Sequence, residues 1–169
     1  AVASPLGSHS LMKQLSLTNN NEPKQRLTDP LRAVKPSQNL YAIMYREMKR
    51  LYKYTYDRLE TYPKWQKHGI GPASRIAELT QDNLRGALEV YGYNPKLDKE
   101  QILRRMSINF KELNVLVELS CAHDWIKPQN REAWSRMISK LDDQTIGFAM
   151  GMEKQARERQ AKKADESRR

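Results

Sequence analysis

The chain has a single cysteine, Cys121, so it has no second thiol with which to form an internal disulfide. Glycine and proline are also scarce, with seven and eight among 169 residues, and this scarcity favours long helices. No apolar run approaches the roughly 18 residues that a membrane-spanning helix needs. The composition therefore excludes a disulfide-stapled scaffold and predicts no membrane helix, and a lone thiol is typical of a cytosolic protein.

The sequence also has little that could carry catalysis or bind a metal. It contains no CxxC, HExxH or Glu-x-x-His pattern, and no glycine-rich loop followed by Lys-Ser or Lys-Thr. Cys121 and His123 are two positions apart, so they would face different sides of a helix, as would the adjacent Asp142 and Asp143. We therefore expect no enzymatic activity, no metal and no cofactor.

Positive charge is what the chain has in excess, and it is unevenly distributed. The net charge is +10. Residues 1–37 hold five cations against two anions, residues 38–65 six against three, and residues 151–169 seven against four. Residues 66–150 are nearly neutral, with twelve cations against eleven anions. This distribution favours a polyanionic partner, although many basic proteins use such charge only to stay soluble.

Residues 1–37 read as a flexible leader, because they are polar, lack a hydrophobic period and are interrupted by Pro23, Pro30 and Pro36. Residues 1–11 include "PLGS" and "GSH", which look like cloning remnants, so Met12 is the expected native start.

Four segments beyond the leader carry apolar residues at spacings of three and four, the period of an amphipathic helix. The first runs from about Ser37 or Gln38 to Thr61, and Leu40, Met44, Met48, Leu51, Thr55, Leu59 and Tyr62 form its stripe. The others run from about Ala73 to Tyr91, from an N-cap at Asp98 to about Asp124, and from about Gln129 to Met152.

Short connections between four such helices predict an all-α fold, an antiparallel up-down four-helix bundle over residues 38–152. Apolar residues nearly vanish in residues 153–169, which we expect to be a frayed basic tail.

A second stripe on the first helix is aromatic, because Tyr41, Tyr45, Tyr52 and Tyr56 follow one another at spacings of four, seven and four. Tyrosine buries a ring while its hydroxyl stays solvated, which suits an interface between subunits. It equally suits base stacking beside cations, or a broad core face. We predict an oligomer interface at these tyrosines and leave the other two interpretations open.

Two stretches resemble one known family. "YKYTYDRLETYPKWQKHGIG" is similar to the end of the first helix, and "RRMSINFKELNVLVELSCAHDWIKPQNREAWSRMISKLDDQTIGFAMGM" to the second half, of small four-helix-bundle proteins. That family comprises the 23S ribosomal RNA intervening-sequence proteins and the accessory variability determinant (Avd) of diversity-generating retroelements. The resemblance covers about residues 40–152, and Gly147 and Gly151 match its terminal glycine pair. Met152 stands where the family often has tryptophan, and the leader and the basic tail are additional.

The resemblance implies a non-catalytic subunit that forms homopentamers with a positive surface. Such a subunit would bind a reverse transcriptase and the template RNA of a retroelement, supporting mutagenic cDNA synthesis in the cytoplasm of a bacterial, archaeal or phage-infected host. Repetition of modest charge around a ring would add weak phosphate contacts together. The RNA-binding residues predicted on this basis are Arg46, Lys49, Arg50, Lys53, Arg104, Arg105, Lys154, Arg157, Arg159, Lys162 and Lys163. The alternative is a protein-only helical adaptor that oligomerises or docks another helix through the tyrosine face.

Overall fold

The computed structural model of the protein describes residues 33–63, 71–92 and 94–168, and they form four α-helices. The turn predicted at "KWQKHGIG" and most of the leader lie outside the described residues. Helix α1 is Gln38–Leu59 and α2 is Pro72–Tyr91, while α3 is Lys99–Ala122 and α4 is Pro128–Glu166. No strand occurs within the described residues, which confirms the all-α fold class.

The helices start where the sequence provides caps. The Ser37 hydroxyl accepts a hydrogen bond from the Leu40 N–H at 3.3 Å, and the Asp98 carboxylate accepts one from the Gln101 N–H at 3.1 Å. Each of these side chains satisfies a backbone donor that the first turn of a helix leaves without an intrahelical partner. The predicted starts of α1 and α3 are confirmed to within a residue.

Helices α1 and α4 run in opposite directions. The indole of Trp134, near the start of α4, donates to the Thr55 hydroxyl near the end of α1 at 3.1 Å, whereas Phe148, farther along α4, packs against Tyr41 at the start of α1. Helix α1 packs on α2 and α4, and α3 packs on the same two helices. The chain therefore folds as a four-helix bundle whose core lies between the helices.

The predicted stripes form that core. On α1 the side chains of Met44, Met48 and Leu51 are fully buried, and the apolar faces of the other helices surround them. Buried polar groups pair within the core: Asn83 donates to the Met106 carbonyl at 3.1 Å. The largest fully buried side chains are Trp134, Phe110, Phe148, Met44 and Met48. Burial of this kind contributes about 1.5–3 kcal/mol for each large apolar side chain.

The end of α4 differs from the prediction. The helix was expected to end near Met152, with a frayed tail beyond it, but α4 continues to Glu166. Residues 153–166 are rich in Ala, Glu, Lys, Arg and Gln, which have high intrinsic helix propensity, and elongating an existing helix needs no new nucleus. Arg157 and Glu153 lie one turn apart on the helix, and the ion pair between them further stabilises this part of α4. Most of these side chains are exposed, so the extension projects beyond the core.

Tyr62 provides a pH-dependent test of the core. Burial raises the pKa of its phenol from the ordinary value of 10.0 to about 12. The folded protein therefore keeps this proton at pH values where the unfolded chain loses it, and the free energy of unfolding falls as pH rises from about 10 towards 12. We expect Tyr62→Phe to lose less stability than the wild type between pH 8 and 11 in urea unfolding. Equal losses in the two proteins would contradict this role of Tyr62.

Candidate nucleic-acid interface

The outward face of α1 carries a row of four exposed cations: Arg46, Lys49, Arg50 and Lys53. Burial of the Met44, Met48 and Leu51 stripe fixes the rotation of the helix, because residues three and four apart share a face. The cations occupy the opposite side and extend over two turns, about 11 Å along the axis. The row is thus a consequence of the core packing of α1.

Two of these four cations have carboxylate partners on the same helix. The guanidinium of Arg50 lies 2.8 Å from a Glu47 oxygen, and the ammonium of Lys53 lies 2.9 Å from an Asp57 oxygen. The Lys53 side chain is 80% exposed, and such pairs contribute only about 0–1 kcal/mol, so they can be exchanged for phosphate contacts.

Arg46 and Lys49 differ from the other two cations. Neither forms an ion pair with any carboxylate in the part of the chain that the structure describes. The Lys49 ammonium lies over the Tyr45 ring, 4.7 Å from its centroid. A cation on an aromatic face keeps its full charge, so Lys49 stays available to a phosphate backbone. Arg46 is available because it pairs with no carboxylate among the described residues.

The same face extends onto α4, which the sequence analysis missed. A groove of about 150 Å³ between the helices is lined by Glu47, Arg136, Met137, Lys140, Leu141 and Gln144. Lys140 is exposed, and Arg136 pairs with Glu132 at 2.8 Å. Only the packing of α1 against α4 brings these cations beside the row on α1, so no spacing in the sequence indicated them.

Arg104 and Arg105, also predicted to bind RNA, each pair with at least one carboxylate of another helix. Arg104 lies 2.9 Å from Glu100 and 3.1 Å from Glu153 of α4. Arg105 lies 3.5 Å from Asp82 and 3.8 Å from Glu89, both on α2. These pairs link α3 to its neighbours, and they make Arg104 and Arg105 weaker candidates than the cations of α1.

The predicted cations of the tail all lie on the exposed end of α4. They are Lys154, Arg157, Arg159, Lys162 and Lys163. Arg157 pairs with Glu153 of the same helix. Because the backbone is helical here, these side chains project in several directions around the axis and do not form one row.

The four stripe tyrosines have different environments. Tyr41, predicted at an oligomer interface, is only 6% exposed in the single chain and packs edge-on against Phe148 in the core. Tyr45 stacks on Tyr91 of α2, with ring centroids 5.6 Å apart. Tyr52 and Tyr56 stack on each other at 4.5 Å. These three half-buried rings cover the seam between α1 and α2, which leaves only part of each ring accessible.

A different apolar surface is the most exposed one. Ile108, Val115 and Leu119 of α3 are 66%, 54% and 49% exposed, and their spacing of seven and four places them on one face. We call them the α3 stripe. None of the three was singled out in the sequence as part of an exposed surface. The signal was present in the spacing, but α3 is apolar on two faces, and periodicity alone does not tell which face the core takes.

A polar cluster away from the row of cations joins α3 to α4. Lys111 donates to the Ser107 hydroxyl at 2.8 Å and to Asp142 at 2.9 Å, while Ser107 donates to the same carboxylate. The Lys111 ammonium has no lone pair that could accept the Ser107 proton, so it donates to the hydroxyl and does not serve as its base in this arrangement. Within the described ranges, no three His, Cys, Asp or Glu side chains converge on a point where a metal could bind.

None of the four helices combines the length and apolarity that crossing a bilayer requires.

Comparison of the chain with known protein families, with curated proteins and with solved structures finds no match in any of the three.

Neutralising Asp142 and neutralising Asp143, which are adjacent on α4, should have different effects on the free energy of unfolding. Asp142→Asn weakens the bonds to Lys111 and Ser107 and should lower the free energy of unfolding by about 1–2 kcal/mol. Desolvation and the neighbouring charge of Asp142 raise the pKa of Asp143, which means that folding disfavours its charged form. Asp143→Asn should therefore leave stability at pH 7 unchanged or increase it. Denaturant unfolding of the two variants provides the comparison, and destabilisation by both would refute this explanation.

Proposed function

We propose that the protein is a non-catalytic accessory subunit that binds structured RNA and a reverse transcriptase, supporting mutagenic cDNA synthesis by a diversity-generating retroelement. The observation that carries the RNA-binding part is the outward row of Arg46, Lys49, Arg50 and Lys53 on α1. Helix α1 contains five cations and two anions, so its solvent face is strongly positive. Neutralising phosphates with such side chains releases counterions, which supplies most of the affinity for a nucleic-acid backbone.

The reverse transcriptase, the retroelement and assembly as a homopentamer enter this proposal through the resemblance of residues 40–152 to Avd. The four-helix fold and the positive charge are compatible with them, although a fold hosts many functions. A pentamer would repeat the α1 row five times at fixed spacing, so contacts that are weak in one copy would add as avidity.

Two variants with equal loss of charge test the RNA-binding face. Arg46→Gln with Lys49→Gln should weaken binding of a structured RNA by about tenfold and reduce the slope of log affinity against log salt by about two, one for each phosphate contact. Arg104→Gln with Arg105→Gln is the matched control, and we expect it to change affinity by less than about twofold, because each of those cations has two carboxylate partners, at least one of them on another helix. Fluorescence anisotropy across a salt series measures both. Equal losses, or affinity that does not depend on salt, would exclude the α1 row.

The proposed role as an accessory subunit of a reverse transcriptase has a separate test. The protein is mixed with a reverse transcriptase and the template RNA of one retroelement, and cDNA yield is measured with and without it. Stimulation by the wild type that is reduced in the α1 double variant supports the accessory role. If the protein binds RNA but has no effect on cDNA yield, it is an RNA-binding protein of another system and not a retroelement subunit.

A protein-only adaptor is the second candidate, and the exposed α3 stripe favours it. In this alternative the stripe binds a second copy of the chain around a two-fold axis. Arg105 lies towards one end of the stripe and the exposed Glu118 towards the other, so an antiparallel copy would place opposite charges against each other. Burial of apolar side chains at the centre would supply most of the association energy.

Solution mass distinguishes the assemblies. Under the adaptor alternative the 19.8 kDa chain should be a dimer, and Ile108→Glu should make it a monomer by burying a charge in the interface. Gln160→Glu is the matched control, since it adds the same charge at an exposed position of α4, away from the stripe. A wild-type pentamer that persists in Ile108→Glu would favour the retroelement subunit instead, and a wild-type monomer would exclude both assemblies.

A further inference from the structure

The groove between α1 and α4 combines apolar and polar lining residues, and we call it the α1–α4 groove. Met137 and Leu141 form its apolar part, and Leu141 is only 2% exposed, so this part of the groove belongs to the edge of the core. The volume of about 150 Å³ is well below the roughly 300–1,000 Å³ of pockets that hold drug-sized ligands. The groove therefore accommodates one small ring system and excludes a large molecule.

Two polar side chains of the groove have hydrogen-bonding atoms without a protein partner. The amide of Gln144 forms no hydrogen bond within the part of the chain that the structure describes. One oxygen of Glu47 accepts from Arg50 at 2.8 Å, and its other oxygen has no partner among the described residues. The Glu47 side chain is 21% exposed, so a ligand can reach it from solvent. An amide donates and accepts while a carboxylate only accepts, which suits a ligand with polar groups along its edge.

Cations border the same groove on both helices. Arg136 and Lys140 line it from α4, and Lys140 has no carboxylate partner in the described ranges. Arg136 is 73% exposed, and its pair with Glu132 is a surface ion pair that a phosphate can replace. Arg50 of the α1 row adjoins the groove through its ion pair with Glu47. A ligand in the groove therefore meets positive charge from α1 and from α4.

A small apolar space, unpartnered polar groups and flanking cations together suit one nucleotide of an RNA strand. An unpaired base has an apolar ring face, polar edges and a phosphate on either side, and proteins bind such bases in loops and bulges. We infer that the α1–α4 groove binds one unpaired base of an RNA strand, whose flanking phosphates pair with Arg50, Arg136 and Lys140. This inference rests on the proposed binding of RNA, and it specifies the preferred RNA as a helix with a bulged base.

Two RNA hairpins that differ in a single base test the groove. Both carry a one-nucleotide bulge and the same number of phosphates, but the bulge is cytidine in one hairpin and an abasic ribose in the other. A bulged base is already unpaired, and the amino group of cytosine can donate to a carboxylate such as that of Glu47. Because the phosphate contribution is equal, the ratio of the two affinities reports contacts with the base. Fluorescence anisotropy of the full-length wild type should favour the cytidine bulge by about fivefold to tenfold.

Substitutions in the groove should reduce this ratio. Gln144→Ala and Glu47→Ala each remove a partner of the base edge, and each should lower the ratio by at least about twofold. Gln160→Ala, at an exposed position of α4, is the matched control for the amide. Asp57→Ala is the matched control for the carboxylate, since it removes the partner of Lys53 without changing the groove. We expect both controls to keep the wild-type ratio, and circular dichroism verifies that all four variants are folded.

The outcomes separate this inference from the proposed function. A wild-type ratio near one, with salt-dependent binding of both hairpins, overturns this inference alone. An equal reduction of the ratio in the groove variants and in their controls also overturns it. Free cytidine monophosphate that binds as tightly as the bulged hairpin, and more weakly to Gln144→Ala, would assign the groove to a mononucleotide instead. Absence of wild-type binding to either hairpin at low salt overturns the proposed function together with the inference.

Discussion

Burial of the α1 stripe is the constraint on which the rest of the protein depends. Met44, Met48 and Leu51 have no exposed surface, and a helix that buries them against α2 and α4 has one allowed rotation about its axis. That rotation turns Arg46 and Lys49 outward. The cations need no interaction of their own to keep their place, because the hydrophobic effect that stabilises the bundle also orients them.

Counting cations in the sequence overstates how many are available to a ligand. Arg104 and Arg46 have the same charge, but Arg104 bridges α3 to Glu153 of α4 and Arg46 has no carboxylate partner among the described residues. Drawing Arg104 to a phosphate would leave Glu153 with less compensation, whereas drawing Arg46 there would cost the protein no ion pair. Ion pairing in the folded state therefore distinguishes how available each cation is to a phosphate, which a count of charges does not.

The sequence predicted local features well and missed those that depend on another segment. The cap at Asp98 and the stripe of α1 follow from spacings of three and four residues, and both are confirmed. The burial of Tyr41 does not follow from its spacing, because it is decided by Phe148, more than a hundred residues away. The end of α4 was misplaced for a different reason. Loss of the apolar period was read as loss of the helix, while propensity alone continues the helix to Glu166.

Gly147 and Gly151 show why such distant relations matter. Within a helix, two glycines are unfavourable by about 1 kcal/mol each relative to alanine, so local rules give no reason for them there. The structure gives a reason, since Val34 approaches Gly151 more closely than any side chain would permit. The contact between Val34 and Gly151 joins segments more than a hundred residues apart, so a rule that considers only neighbouring residues could not anticipate it.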